Sequence, residues 1–259
     1  MKIATWNVNS IRSRSEHLTQ WLRDNPVTVL CLQETKVIDA DFPREPFEEL
    51  GYHLYFSGQK SYNGVAIFSQ SPLEDVTIGF SPILGSVYGE WDEQKRLISG
   101  VLDGIRIVNV YVPNGAEVGS DKYDYKLQWL EILGKYLQYL LDKNPHLCIC
   151  GDFNIAPEAR DIYKKTKDTD IMASPTERAA LSALLELGLT DAFRKFTGDE
   201  GHYTWWDYRR GGFQNQRGWR IDHHYLTPEL YNRCSDCIID PIPRGWEKPS
   251  DHTPVILTL

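Results

Sequence analysis

Short apolar runs recur along the whole chain: KIATWNV, VTVLCLQ, HLYFS, GVAIFS, LISGVL, IRIVNVYV, HLCICGDF, HYTWWDY, RIDHHYLT and PVILTL. Each is rich in branched and aromatic residues and too short for a helix, so each reads as a β-strand. Helical periodicity is confined to about residues 12–24, 123–142 and 176–188. Many strands, few helices, strands near both ends and no Gly/Ser/Pro-rich linker predict an α/β fold of one domain over residues 1–259, two packed sheets flanked by helices.

The polar residues that interrupt this pattern collect where strands stop. In ICGDFNI the apolar run breaks at Asp152 and Asn154 and then resumes. The ordinary explanation is an Asx-turn closing a strand. The same placement recurs, however, at Asn7 and Asn9, at Glu34, at Tyr111 and Asn114, at Asp222, and at Asp251 and His252. Each position alone fits turn chemistry. Together, at one rim of a layered sheet protein, these carboxylates, amides, phenol and imidazole suffice to hold a hard divalent cation, a nucleophilic water and a phosphate. No serine or cysteine nucleophile motif and no glycine-rich phosphate loop competes with that reading.

Composition narrows the partners. The chain is 41% hydrophobic and 12% aromatic, enough for a sizeable core, and its formal charge of −8 argues against non-specific coating of nucleic acid. Basic residues are nevertheless bunched at Arg12/Arg14, Lys95/Arg96, Lys164/Lys165/Lys167 and Arg209/Arg210/Arg217/Arg220, which allows a basic face on an acidic body. The five cysteines lack zinc-site spacing and read as reduced, mostly buried thiols. The N-terminus carries no apolar signal region, and no apolar run reaches the roughly 20 residues of a membrane span. A soluble, cytoplasmic protein is expected.

In order along the chain, MKIATWNVNSIRSR, LQETK, GQKSYNGVAIFS, NVYVPNG, GDFNIAP, TWWDYR, RGWRID and KPSDHTPV resemble the exonuclease III family of abasic-site DNA repair nucleases, within the endonuclease/exonuclease/phosphatase superfamily. The resemblance implies a four-layer α/β sandwich of two mostly antiparallel sheets. It implies metal-dependent phosphodiester hydrolysis, by a monomer, on duplex DNA with abasic sites or 3′ ends, as abasic-site incision, 3′→5′ exonuclease or 3′-end cleaning. Mg²⁺ would be the cofactor, with Mn²⁺ as a substitute.

The same resemblance assigns roles. Asp152 would be the general base, with Asn154 orienting the water. Glu34 would be the principal metal ligand, with Asn7, Asp251, Asp152 and Asn154 in the same group. His252 would contact the scissile phosphate, Asp222 would favour its imidazolium, and Tyr111 would add a phenol. Asn9, Arg12, Lys36, Tyr62, Asn63, Arg96 and Asn114 would face the DNA. Trp205 and Trp219 would wall a pocket for a flipped-out sugar, Trp206 would turn to the core, and Arg209 and Arg210 would wedge a groove.

One segment departs from the pattern. Relatives that cut internal abasic sites carry Gly-Phe-(Leu or Thr)-Pro-x-x-Arg where this chain has Met172-Ala173-Ser174-Pro175-Thr176-Glu177-Arg178. Met172 is therefore a candidate determinant of substrate geometry, biasing the enzyme toward 3′ ends. Two other readings stay open. Glu34, Asp152, Asn154, Asp251 and His252 would equally serve a non-specific nuclease, an RNA deadenylase or an inositol phosphatase, against which WNVNSIR, YVPNG and GWRID favour repair. An inactive DNA-binding protein is the non-enzymatic alternative, and the intact set of water-activating residues argues against it.

Overall fold

The computed structural model describes residues 1–259. Residues Lys2–Asn7 form β1, Val29–Gln33 β2, His53–Ser57 β3, Val65–Ser69 β4, Glu74–Ile78 β5, Leu97–Leu102 β6 and Ile105–Tyr111 β7. Leu147–Asp152 form β8, Thr190–Asp191 β9, Trp205–Trp206 β10, Gly218–Trp219 β11, Asp222–Leu226 β12, Asp236–Ile239 β13 and Val255–Thr258 β14. The helices are α1 (Ser15–Asp24), α2 (Glu45–Glu48), α3 (Ser81–Leu84), α4 (Gly89–Asp92), α5 (Asp121–Leu141), α6 (Pro175–Leu185) and α7 (Pro228–Arg233).

Two six-stranded sheets, β13-β14-β1-β2-β4-β3 and β5-β6-β7-β8-β12-β9, stand beside a β10-β11 ribbon. Only β1/β2 and β7/β8 run parallel, and the other pairs are antiparallel. Central strands β2, β4, β7 and β8 are buried at every position. That is why they read as continuous apolar runs: one face meets the opposite sheet and the other lies under helices. Between the sheets lies a core including Ile3, Val29, Ile67, Ile107 and Leu257. Outside it, Trp129, Leu133 and Leu137 of α5 and Leu181 of α6 cover the second sheet, and Trp21 and Leu22 of α1 cover the first. The order helix, sheet, sheet, helix is the expected sandwich.

This layering creates the rim. The parallel pairs β1/β2 and β7/β8 are each joined through a helix, α1 or α5, that returns the chain to the opposite end of its sheet, so all four strands finish at one edge. Strands β12 and β14 run antiparallel to β8 and β1. Asp222 therefore reaches that edge at the start of a strand, not at a strand end as the sequence pattern suggested, and the Asp251-His252 pair reaches it just before β14.

Several expectations change in detail. HYTWWDY keeps only two strand residues, because β10 pairs with the equally short β11 outside both sheets. The helix expected to 188 stops at Leu185, ahead of Gly188 with its left-handed φ of 103°. Strands β5, β9, β11 and β13 went unread: they are edge or two-residue strands without a distinct apolar run. Arg220 leaves the proposed basic face altogether: it is buried and paired with Asp161 and Asp191. All five cysteines are free and buried, Cys148 lying 3.8 Å from His224 Nδ1.

Candidate active site

The centre of the rim is a hydrogen-bonded bridge between the two sheets. Asn7, at the end of β1, donates through its amide to Glu34 Oε1 and to Asp152 Oδ2, both at 2.9 Å. Glu34 follows β2 in a left-handed conformation (φ 54°), which turns its side chain back over the rim. Its Oε1 also accepts the Tyr111 hydroxyl at 2.8 Å, and its Oε2 pairs with the Lys36 ammonium at 2.6 Å. Asp152, at the end of β8, is held from its other side by the Asn154 N–H, which donates to Oδ1 at 2.9 Å. The Asx-turn expected at GDFN is thus present, and it fixes the carboxylate without consuming it. Asn154 in turn donates to Val112 O and accepts from Asn114 Nδ2, each at 3.0 Å.

A third carboxylate reaches the site across the β8/β12 pair, where Asp222 lies opposite Asp152. Asp222 Oδ2 is 2.9 Å from His252 Nδ1, and His252 Nε2 is 3.8 Å from Asp152 Oδ2. Burial disfavours the imidazolium, but Asp222 and Asp152 outweigh it and raise His252 to about 10. Burial pushes the Asp152 carboxyl up to about 7 against the opposing pull of His252. Burial also holds the Tyr111 phenol well above its usual range, with Glu34 adding to the effect. The site therefore combines a buried carboxyl poised near neutrality, a cationic imidazole and a phenol that keeps its proton.

Asp251 is engaged on both oxygens, accepting from Asn9 Nδ2 at 2.9 Å and from Trp205 Nε1 at 3.0 Å. That bond joins the carboxylate cluster to a cavity of about 520 Å³ lined by Trp205, Trp219, Met172 and Tyr163, with Lys164, Arg209, Arg210 and Arg217 also on its wall. Trp205 faces Trp219 across the β10/β11 ribbon, whereas Trp206 is buried edge-on against Phe213. Met172 packs against this wall with Ala156, Ile162 and Trp219. Its φ is 66°, a left-handed conformation suited to glycine that a bulkier residue holds here.

The remaining candidates are spread around this centre. Lys36, expected to face DNA, is engaged at the rim: besides pairing with Glu34 it donates to Asn9 Oδ1 at 2.6 Å. The Arg96 guanidinium lies 4.5 Å from the centre of the Tyr111 ring and donates to its carbonyl, beside a cavity of about 410 Å³ that also involves Asn114. Asn63, like Glu34 and Lys36, is left-handed, at φ 50°. Arg12 and Tyr62 are exposed and make no side-chain hydrogen bond within the site. Arg209 is held by Asp207 on an exposed loop.

Two supports escaped the sequence reading. Ser250 Oγ donates to Asn7 O at 2.7 Å and accepts the His252 N–H at 3.2 Å. Thr204 Oγ1 accepts from the Ile221 and Asp222 N–H groups at 3.0 and 3.1 Å. Both sit beside recognised motifs, Ser250 within KPSDH and Thr204 just before the tryptophan pair, but hydroxyls on strands and turns give no signal of their own.

The donor set fits a hard divalent cation. Carboxylate oxygens of Glu34 and Asp152 converge within 4.8 Å of each other and of His252. His252 is already engaged at Nδ1 by Asp222, and the other donors are carboxylate oxygens of the kind Mg²⁺ prefers. Asn7, expected as a ligand, here presents its NH₂ to both carboxylates and its oxygen to the Asn9 N–H, so it bridges the two carboxylates.

Residues 4–252 match the model of the endonuclease/exonuclease/phosphatase family. The chain is 34% identical to exodeoxyribonuclease III of Haemophilus influenzae, covering 98% of each protein. Its fold is similar to that of an AP endonuclease from Archaeoglobus fulgidus (TM-score 0.93, 43% identity, covering 100% of this chain and 99% of that one). It is equally similar to the 3′ phosphatase NExo from Neisseria, solved with a product DNA hairpin (TM-score 0.94, 39% identity, the same coverage). Carboxylates bridged across two sheets, a charged Asp-His pair and full-length similarity converge on one conclusion: the chain is a hydrolytic nuclease that belongs to the endonuclease/exonuclease/phosphatase family, among its exodeoxyribonuclease III relatives.

Proposed function

We propose that the chain is a Mg²⁺-dependent phosphodiesterase of DNA repair that acts as a monomer on duplex DNA, incising abasic sites and trimming or dephosphorylating 3′ ends. The observation that carries this is the bond from Trp205 Nε1 to Asp251 Oδ2, which ties the aromatic wall of the cavity to a carboxylate of the rim. An apolar wall accepts a sugar that has lost its base or that ends a strand, whereas a stacked nucleotide must first be extruded. The acidic body with basic residues beside the cavity suits brief visits to DNA.

In this reading Asp152 takes a proton from the attacking water, whose oxygen bonds to phosphorus as the bond to the leaving oxygen breaks. Asn154 sets the carboxylate and the water. The His252 imidazolium donates to a non-bridging phosphate oxygen, and Asp222 keeps it charged. Tyr111 retains its proton and donates to the phosphate. Mg²⁺ held by Glu34 and Asp152 would supply Lewis-acid neutralisation of the phosphate charge. All these groups come from one chain, which supports a monomer, and five free buried thiols support a reducing, cytoplasmic setting.

Met172 supports the finer proposal that 3′ ends are preferred over internal sites, because its side chain takes space on the cavity wall where a continuing duplex would approach. The test is a panel of duplexes with an internal abasic site, a 3′-phosphate, a recessed 3′ end or a nick, beside undamaged DNA, RNA and inositol phosphates. Turnover of damaged or 3′-ended DNA exceeding RNA and inositol phosphates by about 100-fold is expected. Preference for either of the latter would replace this reading with another branch of the family.

A further inference from the structure

Beneath the site, a fully buried ammonium and carboxylate, Lys126 of α5 and Glu177 of α6, form an ion pair without solvent contact. Lys126 Nζ donates to Asn154 O at 2.8 Å, to Asn114 O at 3.1 Å and to Glu177 Oε1, which uses its three N–H groups. Glu177 Oε1 also accepts the Met172 N–H at 3.0 Å, while Oε2 accepts the Ser174 N–H at 3.0 Å and the Ser174 hydroxyl at 2.7 Å. The Met172 carbonyl then accepts the Ala156 N–H at 2.7 Å. Gly115 allows the close approach: a Cβ there would come within 3.1 Å of Lys126 Cδ and of Ile171 Cδ1.

Three segments that otherwise belong to different loops thus meet on one charge pair: the base-bearing loop 152–156, the loop after β7 with Asn114, and the cavity loop with Met172. A buried pair is a poor choice for stability alone, since apolar residues of similar volume are often as good. What the pair supplies, and apolar residues would not, is a fixed place for the Asn154 and Asn114 carbonyls and for the Met172 amide. Asn154 is the residue whose own N–H holds Asp152 Oδ1.

Resting on the nuclease reading above, we infer that Lys126 and Glu177 are positioning residues that hold the cavity wall at Met172 in register with the base Asp152 and its partner Asn154. Loss of the pair leaves the Ala156–Met172 bond as the remaining backbone link between the two loops and loosens their register, so the catalytic step suffers more than DNA binding.

The test compares Lys126→Met, Glu177→Gln and Ser174→Ala in the full chain with wild type, at a temperature where each is folded. On a 3′-phosphate nick and on an internal abasic site, Lys126→Met and Glu177→Gln are expected to lower kcat at least tenfold with KM within threefold. Ser174→Ala, which removes a capping hydroxyl but keeps the pair, is expected to lower Tm and leave kcat within twofold. Amide hydrogen exchange provides a readout without turnover: residues 154–156 and 172–174 are expected to lose protection together in Lys126→Met, or in Glu177→Gln should the former not fold. Wild-type kcat in a folded Glu177→Gln, or loss of protection confined to one segment, overturns the inference. Absence of wild-type turnover on both DNA substrates would instead sink the functional reading, and the exchange experiment would still decide whether the pair couples the loops.

Discussion

Asp152 stands between a buried environment that favours its neutral form and a cationic His252 that favours its charge, and that balance leaves it poised near neutrality. Asp152→Asn keeps the shape and the Asn154 contact but removes the base. Turnover is expected to fall by roughly 10²–10⁴ with DNA affinity nearly unchanged, and single-turnover rates with a binding titration would check both. A rate within tenfold of wild type would take Asp152 out of that role. His223 offers a stability test that needs no turnover. Its Nδ1 faces the Arg220 guanidinium at 3.1 Å and its Nε2 lies 2.9 Å from the Ile155 carbonyl, so the proton sits on Nε2 and the ring is neutral. Burial, reinforced by Arg220, lowers His223 to about 4 from an ordinary 6.5. The unfolded chain gains a proton below 6.5 that the folded chain refuses until about 4, so the neutral ring's contribution is full above that window and is lost as pH falls through it. The loss is on the order of 3 kcal/mol. Urea titrations between those pH values should show a shallower decline for His223→Gln, and an unchanged decline would assign acid sensitivity to other groups.

At the level of strands and loops, the sequence reveals most where burial forces a pattern. Strands β1, β2, β4, β7 and β8 are covered on both faces, so their apolar runs are unbroken and the polar residues at their ends stand out. Asn7, Glu34, Tyr111 and Asp152 were legible for that reason. Lys126 and Glu177 were not, because a charged residue on a helical pattern reads as solvated surface until its partner is known. Arg220 failed in the same way, and the Lys36 contacts to Glu34 and Asn9 were not foreseen because spacing alone does not say which way a side chain turns after a left-handed Glu34. The cavity loop carries the prediction proper to this scale. Met172 holds a left-handed backbone and packs on Trp219, so Met172→Gly should relax the backbone and open the cavity wall. The ratio of kcat/KM for an internal abasic site to that for a 3′-phosphate at a nick is expected to rise in the mutant. If the ratio stays put, substrate choice lies with Trp205, Arg209 or Arg210 instead.

Taken whole, the molecule is acidic, with 36 Asp and Glu against 28 Lys and Arg, yet four basic residues, Lys164, Arg209, Arg210 and Arg217, line the cavity that Trp205 joins to the rim. Such an arrangement repels a DNA duplex from most approaches and admits it at one. The metal tightens this dependence: EDTA should abolish turnover and Mg²⁺ or Mn²⁺ restore it, because the substrate phosphate and the Glu34/Asp152 carboxylates repel each other without a cation between them. Encounter should then depend on salt through the few phosphates that these side chains meet, not through net charge. Plotted as log(kcat/KM) against log salt at constant Mg²⁺, the slope should be negative, and each lost phosphate contact should reduce its steepness by about 1. Arg209 is already paired with Asp207, so Arg210→Ala and Arg217→Ala are expected to flatten the slope more than Arg209→Ala does. Lys143→Ala provides the control, since Lys143 follows α5 at the end of the second sheet opposite Asp152. A slope that responds to Lys143 as strongly as to Arg210 and Arg217 would mean that DNA is met by the general field of the protein, and the basic rim of the cavity would lose its place in recognition.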